Sequence, residues 1–408
     1  MKFQIMQKIF LLIIIFATYT SNLFSQTTDI DINQPIDTLK KILIVQFPTS
    51  SSSFQEIGFY ANKTDSLHKI GEYYSAISYY NLLLQLPECS KLKTEISEKI
   101  NLAQNLTEKT NEANKLLMEN NLEKASEIYN NIIKSNPDDL YSKNKINAIK
   151  KIKSGDLIFV EGGTFLMGSK DEVGKKDEHP QHKVTLTNYF IGKTEVTNKM
   201  YADFLKAYGS DTVKNGEYVG KTMIYENEIG GLIKENKVWK PVPGKENYPV
   251  ICLNWYGANE FCNFYGYKLP SEAQWEYAAK GGINWENDFY FSGNNNIKKI
   301  GWFYKNAKNK ENKMLKKRGT HEVAQLEANQ LGIYDMTGNV RELCLDWYGS
   351  YKSETTINPV NTTKGKRIVN RGGSWDTIES EDAKITVREC KEIIYLSYNL
   401  GFRVVVFP

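Results

Sequence analysis

Apolar and polar positions follow three rhythms along this chain, and each change of rhythm marks a division. The first is a bare run: Lys2 and Lys8 flank polar-apolar residues, then Ile9 to Ala17 is uninterruptedly apolar, and Leu23-Phe-Ser25 precedes Gln26 as a cleavage-like end. A run this short falls below the ~20 apolar residues that span a bilayer, so residues 1–25 read as an export signal. No cysteine lies near the cut, and a lipid-anchored form is not indicated. Residues 26–53 are polar, with one short strand predicted at Ile42–Phe47 before Pro48 and a flexible Thr49-Ser-Ser-Ser-Ser53 linker.

From residue 54 to 153 the period becomes helical. Gly71–Tyr80 leads through Leu82-Leu-Leu84 to Pro87, and Asn121–Tyr129 leads through Ile132-Ile133 to Pro137. In each, a small alanine (Ala76, Ala125) sits one turn before an aromatic residue (Tyr80, Tyr129), so two helices can approach closely and proline stops the second. This all-α segment resembles tetratricopeptide-repeat hairpins. The spacing exceeds that repeat's period, which predicts an extra helix at about Lys91 to Leu106. Two roles suit such a module: docking of another protein, or a spacer holding the next domain off a surface.

At Gly155 the rhythm shortens. Leu157–Ser169 predicts two short strands around a glycine turn, and His182–Thr187 begins another. Thr197 predicts the cap of a helix to about Tyr208 with Met200, Tyr201, Phe204 and Leu205 on one face. Pro249–Leu253 predicts a buried strand, and Asn254 the cap of a helix through Ala258, Phe261, Cys262 and Phe264. Ser271 and Gln274 form a capping box, with Trp275 inward and Gly281-Gly282 as the stop. Arg367–Trp375 and Asn399–Phe407 predict two half-buried strands with glycine-permitted turns.

Composition adds little beyond this division. The 408 residues suffice for two or three domains, and 25 Tyr with 7 Trp argue for real cores. A net charge of +4, from 52 basic and 48 acidic residues, does not suggest nucleic acid. The lysine-rich stretch around Lys305–Arg318 reads as a solvated loop. Five cysteines (Cys89, Cys252, Cys262, Cys344, Cys390) show no metal-ligand spacing and leave open buried thiols or one or two disulfides. No segment beyond the leader spans a membrane, so the mature chain is expected to be soluble in the periplasm, at the cell surface or secreted.

Candidate chemistry concentrates in Ala328–Glu342, closing at Asp346-Trp347-Tyr348. Gly332 and Gly338 each cost a helix roughly 1 kcal/mol, and nothing alternates as in a strand, so a tight irregular turn is predicted. Asp335 and Glu342 suit a hard cation there, which takes several oxygens; a polar turn satisfied by its own hydrogen bonds is the alternative. His179 and His182, beside Asp177 and Glu178, lack a third histidine and read as loop-stabilising.

In this order, Val160-Glu-Gly-Gly-Thr-Phe-Leu-Met-Gly-Ser169, Glu195-Val-Thr197, Pro249-Val250, Asn254-Trp255, Lys268–Ala278, Ala328–Glu342, Arg371-Gly-Gly-Ser374 and Leu400-Gly-Phe-Arg403 resemble the formylglycine-generating enzyme, or sulfatase-modifying factor, family over residues 156–408. The resemblance implies an α+β, C-type-lectin-related fold of low regularity. It also implies a structural calcium held by Asp335 and Glu342 side chains and the Gly338 and Val340 carbonyls.

Family enzymes oxidise a sulfatase cysteine to formylglycine with copper and oxygen, through a cysteine pair whose thiolates suit cuprous ion. Here those positions fall near Thr377 and at Ser380 to Asp382, none of them a thiol. Arg388 matches a family arginine, and Cys390, two residues on, matches no active-site position. Arg341 and Leu343 replace usual tryptophans. Copper is therefore not expected, nor is formylglycine-generating activity. The fold's iron-dependent branch needs histidines from a helical domain, where this chain has only His68. The expectation is an exported, calcium-stabilised, catalytically silent binding or scaffold protein of the cell envelope. A working oxidase and a carbohydrate-binding module are the rivals.

Overall fold

The computed structural model describes residues 52–84, 93–170, 172–226, 228–284, 289–308 and 318–407. The predicted leader, the Ile42–Phe47 strand and Cys89 lie outside them. Among the described residues, no helix is long and apolar enough to cross a membrane. The chain divides into two compact units, one ending at Asn147 and the other beginning at Ala148.

The first unit is all-helical, with α1 (Ser52–Lys69), α2 (Tyr73–Leu84), α3 (Lys93–Met118), α4 (Leu122–Ser135) and the start of α5 (Leu140–Lys153). Sequence neighbours pack as antiparallel hairpins, α1 on α2, α2 on α3 and α3 on α4. Ala76, Tyr80, Ala125 and Tyr129 are all buried, as the alanine-then-aromatic spacing requires. The intervening helix is far longer than predicted, running the full α3 span. A polar knot ties the unit together: Tyr73 donates its hydroxyl to Asp139, and Asn136 Nδ2 donates to the His68 carbonyl at 3.0 Å.

The second unit is mixed. Its elements are β1 (Leu157–Val160), β2 (Gly163–Met167), β3 (His182–Leu186), β4 (Tyr189–Gly192), α6 (Asn198–Tyr208), β5 (Leu232–Glu235), β6 (Val238–Pro241), α7 (Trp255–Tyr265), α8 (Glu272–Lys280), α9 (Ile297–Ile300), β7 (Arg341–Trp347), β8 (Thr356–Ile357), β9 (Arg367–Arg371), β10 (Arg388–Glu392), β11 (Leu400–Gly401) and β12 (Val405–Val406). They form small sheets ordered β1-β4-β12, β10-β9-β7-β11, β2-β3-β8 and β5-β6. The two strands around Gly162 are present, but each pairs elsewhere, β1 with β4 and β2 with β3. The glycine turn is a crossing between sheets.

All three predicted caps form. Thr197 Oγ1 accepts from Met200 N at 3.3 Å, Asn254 Oδ1 from Gly257 N at 3.2 Å, and Ser271 Oγ from Gln274 N at 3.1 Å. The returning Gln274 side chain accepts from Ser271 N at 3.0 Å, which completes the box, and Gly281 ends α8 at φ +98°.

Three expectations need correction. Pro249–Leu253 is buried but is no strand; Cys252 stands at φ +61°, which breaks the pleat and leaves only isolated bridges at Pro249 and Leu253. The irregular turn stops at Val340, because Arg341 and Glu342 already open β7 against β9 and β11. Arg367–Arg371 and the C-terminal strands are almost wholly buried, since elements cover both of their faces.

The core gathers Trp275, Tyr277 and Ala278 of α8 with Phe165, Val184, Tyr189, Ile191, Cys344, Val369 and Val405. The short α8 is thus the hub on which three of the sheets converge.

Candidate functional site

Around the Ala328–Glu342 turn, charge is buried by design of the ion pairs. Glu342 and Arg403, 61 positions apart, are both fully buried and meet as a fork: Arg403 Nε donates to Glu342 Oε2 and Nη2 to Oε1, each at 2.6 Å. Trp275 Nε1 adds a bond to Oε2 at 2.8 Å. Two more guanidinium hydrogens go to the Gly192 and Tyr334 carbonyls at 2.9 Å. Two matching planar forks give strong, directional hydrogen bonds. One contact therefore joins α8, β4, the turn, β7 and the C-terminal segment.

Glu195 and Asp335 lie against this pair. Glu195 Oε1 accepts from Asn339 Nδ2 at 3.0 Å, and Asp335 Oδ2 from Ala324 N at 2.7 Å. Their other oxygens, Glu195 Oε2 and Asp335 Oδ1, are buried without a partner. Burial, then the Asp335 and Glu342 charges, push the Glu195 carboxyl well above its usual range. Burial pushes Asp335 up to about 6, against the Ala324 N–H and the Arg403 charge. Unpaired buried carboxylate oxygens are costly, and a hard cation would relieve both. Among the described residues, no three His, Cys, Asp or Glu side chains form a ready-made metal cage. A cation here would need main-chain oxygens as well. Glu342 already accepts three hydrogen bonds of its roughly four, whereas Glu195, quoted in the sequence only as part of a motif, has a free oxygen.

A second ionic lattice hangs from α8. Glu272 takes Arg388 Nε at 2.6 Å, Arg388 Nη2 at 2.7 Å and Arg371 Nη1 at 3.0 Å. Glu276 takes Arg371 Nη2 at 2.5 Å and Lys280 at 2.8 Å. Burial alone would raise Glu276, but Lys280 and Arg371 overcome it and hold the carboxyl at about 2. Arg388, the family-matching arginine, is thus an ion-pair strut between β10 and α8. His179 and His182 also prove structural, bonding the Val173 carbonyl (2.8 Å) and the Pro180 carbonyl (3.0 Å).

The interval after Ser374 is built differently. Thr377 is buried and its Oγ1 accepts from Ser374 N at 2.9 Å and from Arg341 Nη2 at 3.4 Å. Arg341 also donates to Glu389 Oε2 at 2.7 Å, to Asp376 Oδ1 at 3.0 Å and to Ser374 Oγ. Asp376 in turn accepts from Asn399 Nδ2 at 2.7 Å. Ser380 is half-buried and donates only to Glu381, at 3.1 Å. Position 377 is therefore a hydroxyl locked in a turn under a guanidinium.

Cys252, Cys262, Cys344 and Cys390 are free thiols, the first three buried. This decides between the alternatives left by the sequence for the described cysteines. Burial raises the Cys390 thiol too, against the Arg367 and Lys391 charges, so it has no tendency to ionise at neutral pH.

The profile of the sulfatase-modifying factor enzyme 1-like domain matches residues 142–407. The chain belongs to that family. Serine/threonine-protein kinase pkn1 of Chlamydia caviae is 31% identical over 258 residues, 61% of this chain and 37% of the kinase. The chaperone protein LppX of Paenibacillus barcinonensis is 33% identical over 251 residues, 54% of this chain and 79% of LppX. A formylglycine-generating enzyme of Thermomonospora curvata is 28% identical over 288 residues, 62% of this chain and 93% of the enzyme. The chain spans just over a third of the kinase's length.

Within this sulfatase-modifying-factor domain, the signature blocks turn out to be its ionic and capping framework. Glu195, Trp275, Glu342 and Arg403 make one buried cluster, and Glu272, Glu276, Arg371 and Arg388 the other. Pairing residues this far apart carries no local signal. The one clue was the occurrence of arginines within otherwise apolar, glycine-flanked stretches.

Proposed function

We propose that this protein is an exported, catalytically silent member of the sulfatase-modifying-factor family, serving as a binding or scaffold protein of the cell envelope. The observation that carries the reading is Arg341. Its guanidinium lies within hydrogen-bonding reach of Thr377, Ser374 and Asp376, where the family resemblance places the first copper-binding cysteine. A hydroxyl does not hold cuprous ion, and this one already accepts from the Ser374 N–H and the Arg341 guanidinium. Cys390 sits on β10 opposite Val369 with a raised, protonated thiol. The likeness to LppX, named a chaperone, agrees with a role in binding. The helical unit with its repeat-like hairpins is assigned to docking a protein partner.

In the same reading, a structural calcium bridges the turn, held by Asp335, the Gly338 and Val340 carbonyls, Glu342 and the free Glu195 oxygen. The two orphaned, buried carboxylate oxygens support this. The ion would stiffen the turn on which β7 starts.

The deciding experiment incubates purified protein with Cu(I), oxygen and a peptide carrying Cys-x-Pro-x-Arg. No aldehyde above the level of a Cys390→Ser control is expected, and aldehyde formation by the parent alone would refute silence. For the ion, chelator should lower the melting temperature of the parent but not of Asp335→Ala/Glu342→Ala; a parent indifferent to chelator refutes the calcium.

A further inference from the structure

Beside the interval after β10 lies an open cleft of about 490 Å³, lined by Tyr225, Cys252, Glu392, Ile394, Tyr395, Leu396, Ser397 and Tyr398. That volume is within the ~300–1,000 Å³ of small-molecule sites. Its walls are fixed to each other through the main chain: Cys252 N donates to the Ser397 carbonyl at 2.9 Å and Tyr225 N to the Cys252 carbonyl at 3.1 Å. Trp375 Nε1 pins the far side through the Tyr398 carbonyl at 2.8 Å. Cys252 holds a left-handed backbone at φ +61° here. A non-glycine residue in that region costs on the order of 1–3 kcal/mol, and such conformations gather at ligand sites.

The tyrosines lining this cleft are open to solvent, as are Tyr290 and Tyr304 elsewhere in the unit. Tyr225, Tyr395 and Tyr398 are 59%, 42% and 36% exposed, and Ile394 is 55% exposed, whereas Tyr189 and Tyr201 of the same unit are wholly buried. A cleft with fixed walls and several solvent-exposed tyrosines in its lining leaves apolar area unspent.

We propose that this cleft binds a neutral oligosaccharide. Exposed tyrosine faces suit the C–H face of a pyranose, and each ring carries a hydroxyl at its edge. The Glu392 carboxylate and the Ser397 oxygen, whose own hydrogen goes to Asn399 at 2.6 Å, can accept from sugar hydroxyls. Other ligand classes fit worse. The single charged lining residue is Glu392, which repels phosphates and acidic ligands. Lys391 Nζ already sits over the Tyr395 ring at 5.1 Å, taking the cation position there. Ile394 and Leu396 are the only aliphatic anchors, too few for an amphipathic helix. The proposal is independent of whether the domain is catalytically silent.

The test titrates the purified chain, by calorimetry and tyrosine fluorescence, with neutral gluco-, galacto-, manno- and chito-oligosaccharides. At least one series should bind. Tyr225→Ala and Tyr395→Ala should each weaken it about tenfold, with melting temperatures unchanged, and Tyr395→Phe should keep most of the affinity. The proposal falls if no neutral series binds at about 10 mM, if both alanine variants bind like the parent, or if only acidic glycans or peptides bind.

Discussion

Arg403→Met tests whether the Glu342 fork holds the second unit together. The substitution keeps an unbranched, apolar stem but removes five hydrogen-bond donors from a fully buried position. Glu342 then keeps the Trp275 indole as its partner, and the Gly192 and Tyr334 carbonyls lose theirs. Breaking one side of a buried ion pair costs about 3–5 kcal/mol, because the remaining charge is stranded. The freed carbonyls add to this where water cannot reach them. For a domain of this size each kcal/mol lowers the melting temperature by about 2–4 °C. A fall on the order of 10 °C is therefore expected in a circular-dichroism melt, with guanidinium unfolding giving the free energy.

Glu342→Gln in the same background supplies the control. The double variant Glu342→Gln/Arg403→Met carries no stranded charge, so it should be more stable than the sum of the two losses predicts, with a coupling of about 1–3 kcal/mol. Additive losses, or an Arg403→Met melt within 1–2 °C of the parent, would show that the fork is not the clamp described.

Two further substitutions or conditions probe the same framework. Gly338 has φ +81°, and a Cβ there would lie 2.3 Å from the Trp302 carbonyl oxygen and 2.7 Å from its nitrogen. Gly338→Ala should therefore cost at least about 2 kcal/mol by denaturant titration, and a neutral result would contradict the turn geometry. The pH dependence should have two limbs. Burial, helped by Glu272, pushes Asp346 up to about 7 from 3.8, so the folded state binds the extra proton and stability falls as pH rises between those values. Glu276, depressed to about 2, contributes stability above 4.5 that is lost as pH falls towards 2. In melting curves from pH 3 to 8, Asp346→Asn should have a shallower neutral-side limb than the parent, the remainder coming from the raised Asp335 and Glu195 carboxyls, and should keep the acid limb; an unchanged neutral limb rejects the assignment.

What was legible in the sequence was what a few neighbouring residues settle among themselves. Thr197, Asn254 and Ser271 cap helices because each side chain reaches a backbone N–H three residues on, whatever the rest of the chain does. The alanine-then-tyrosine pairs of the helical unit bury for the same local reason. The ordered blocks were enough to place the chain in its family, and the absence of thiols at Thr377 and Ser380 was plain before any geometry.

Tertiary structure decided the rest, because the deciding partners lie far apart in the chain. Nothing near Glu342 announces Arg403, nor near Glu272 its two arginines 99 and 116 positions away. Buried charge can persist only where such a partner arrives, and arrival is a property of the fold. The same holds for Pro249–Leu253, where strand-like apolar residues give way to the left-handed Cys252 that shapes the tyrosine cleft. It holds again for Arg341. As sequence it is an arginine where the family resemblance implies a tryptophan; in the fold its guanidinium ties Ser374, Asp376 and Thr377 to Glu389 of β10.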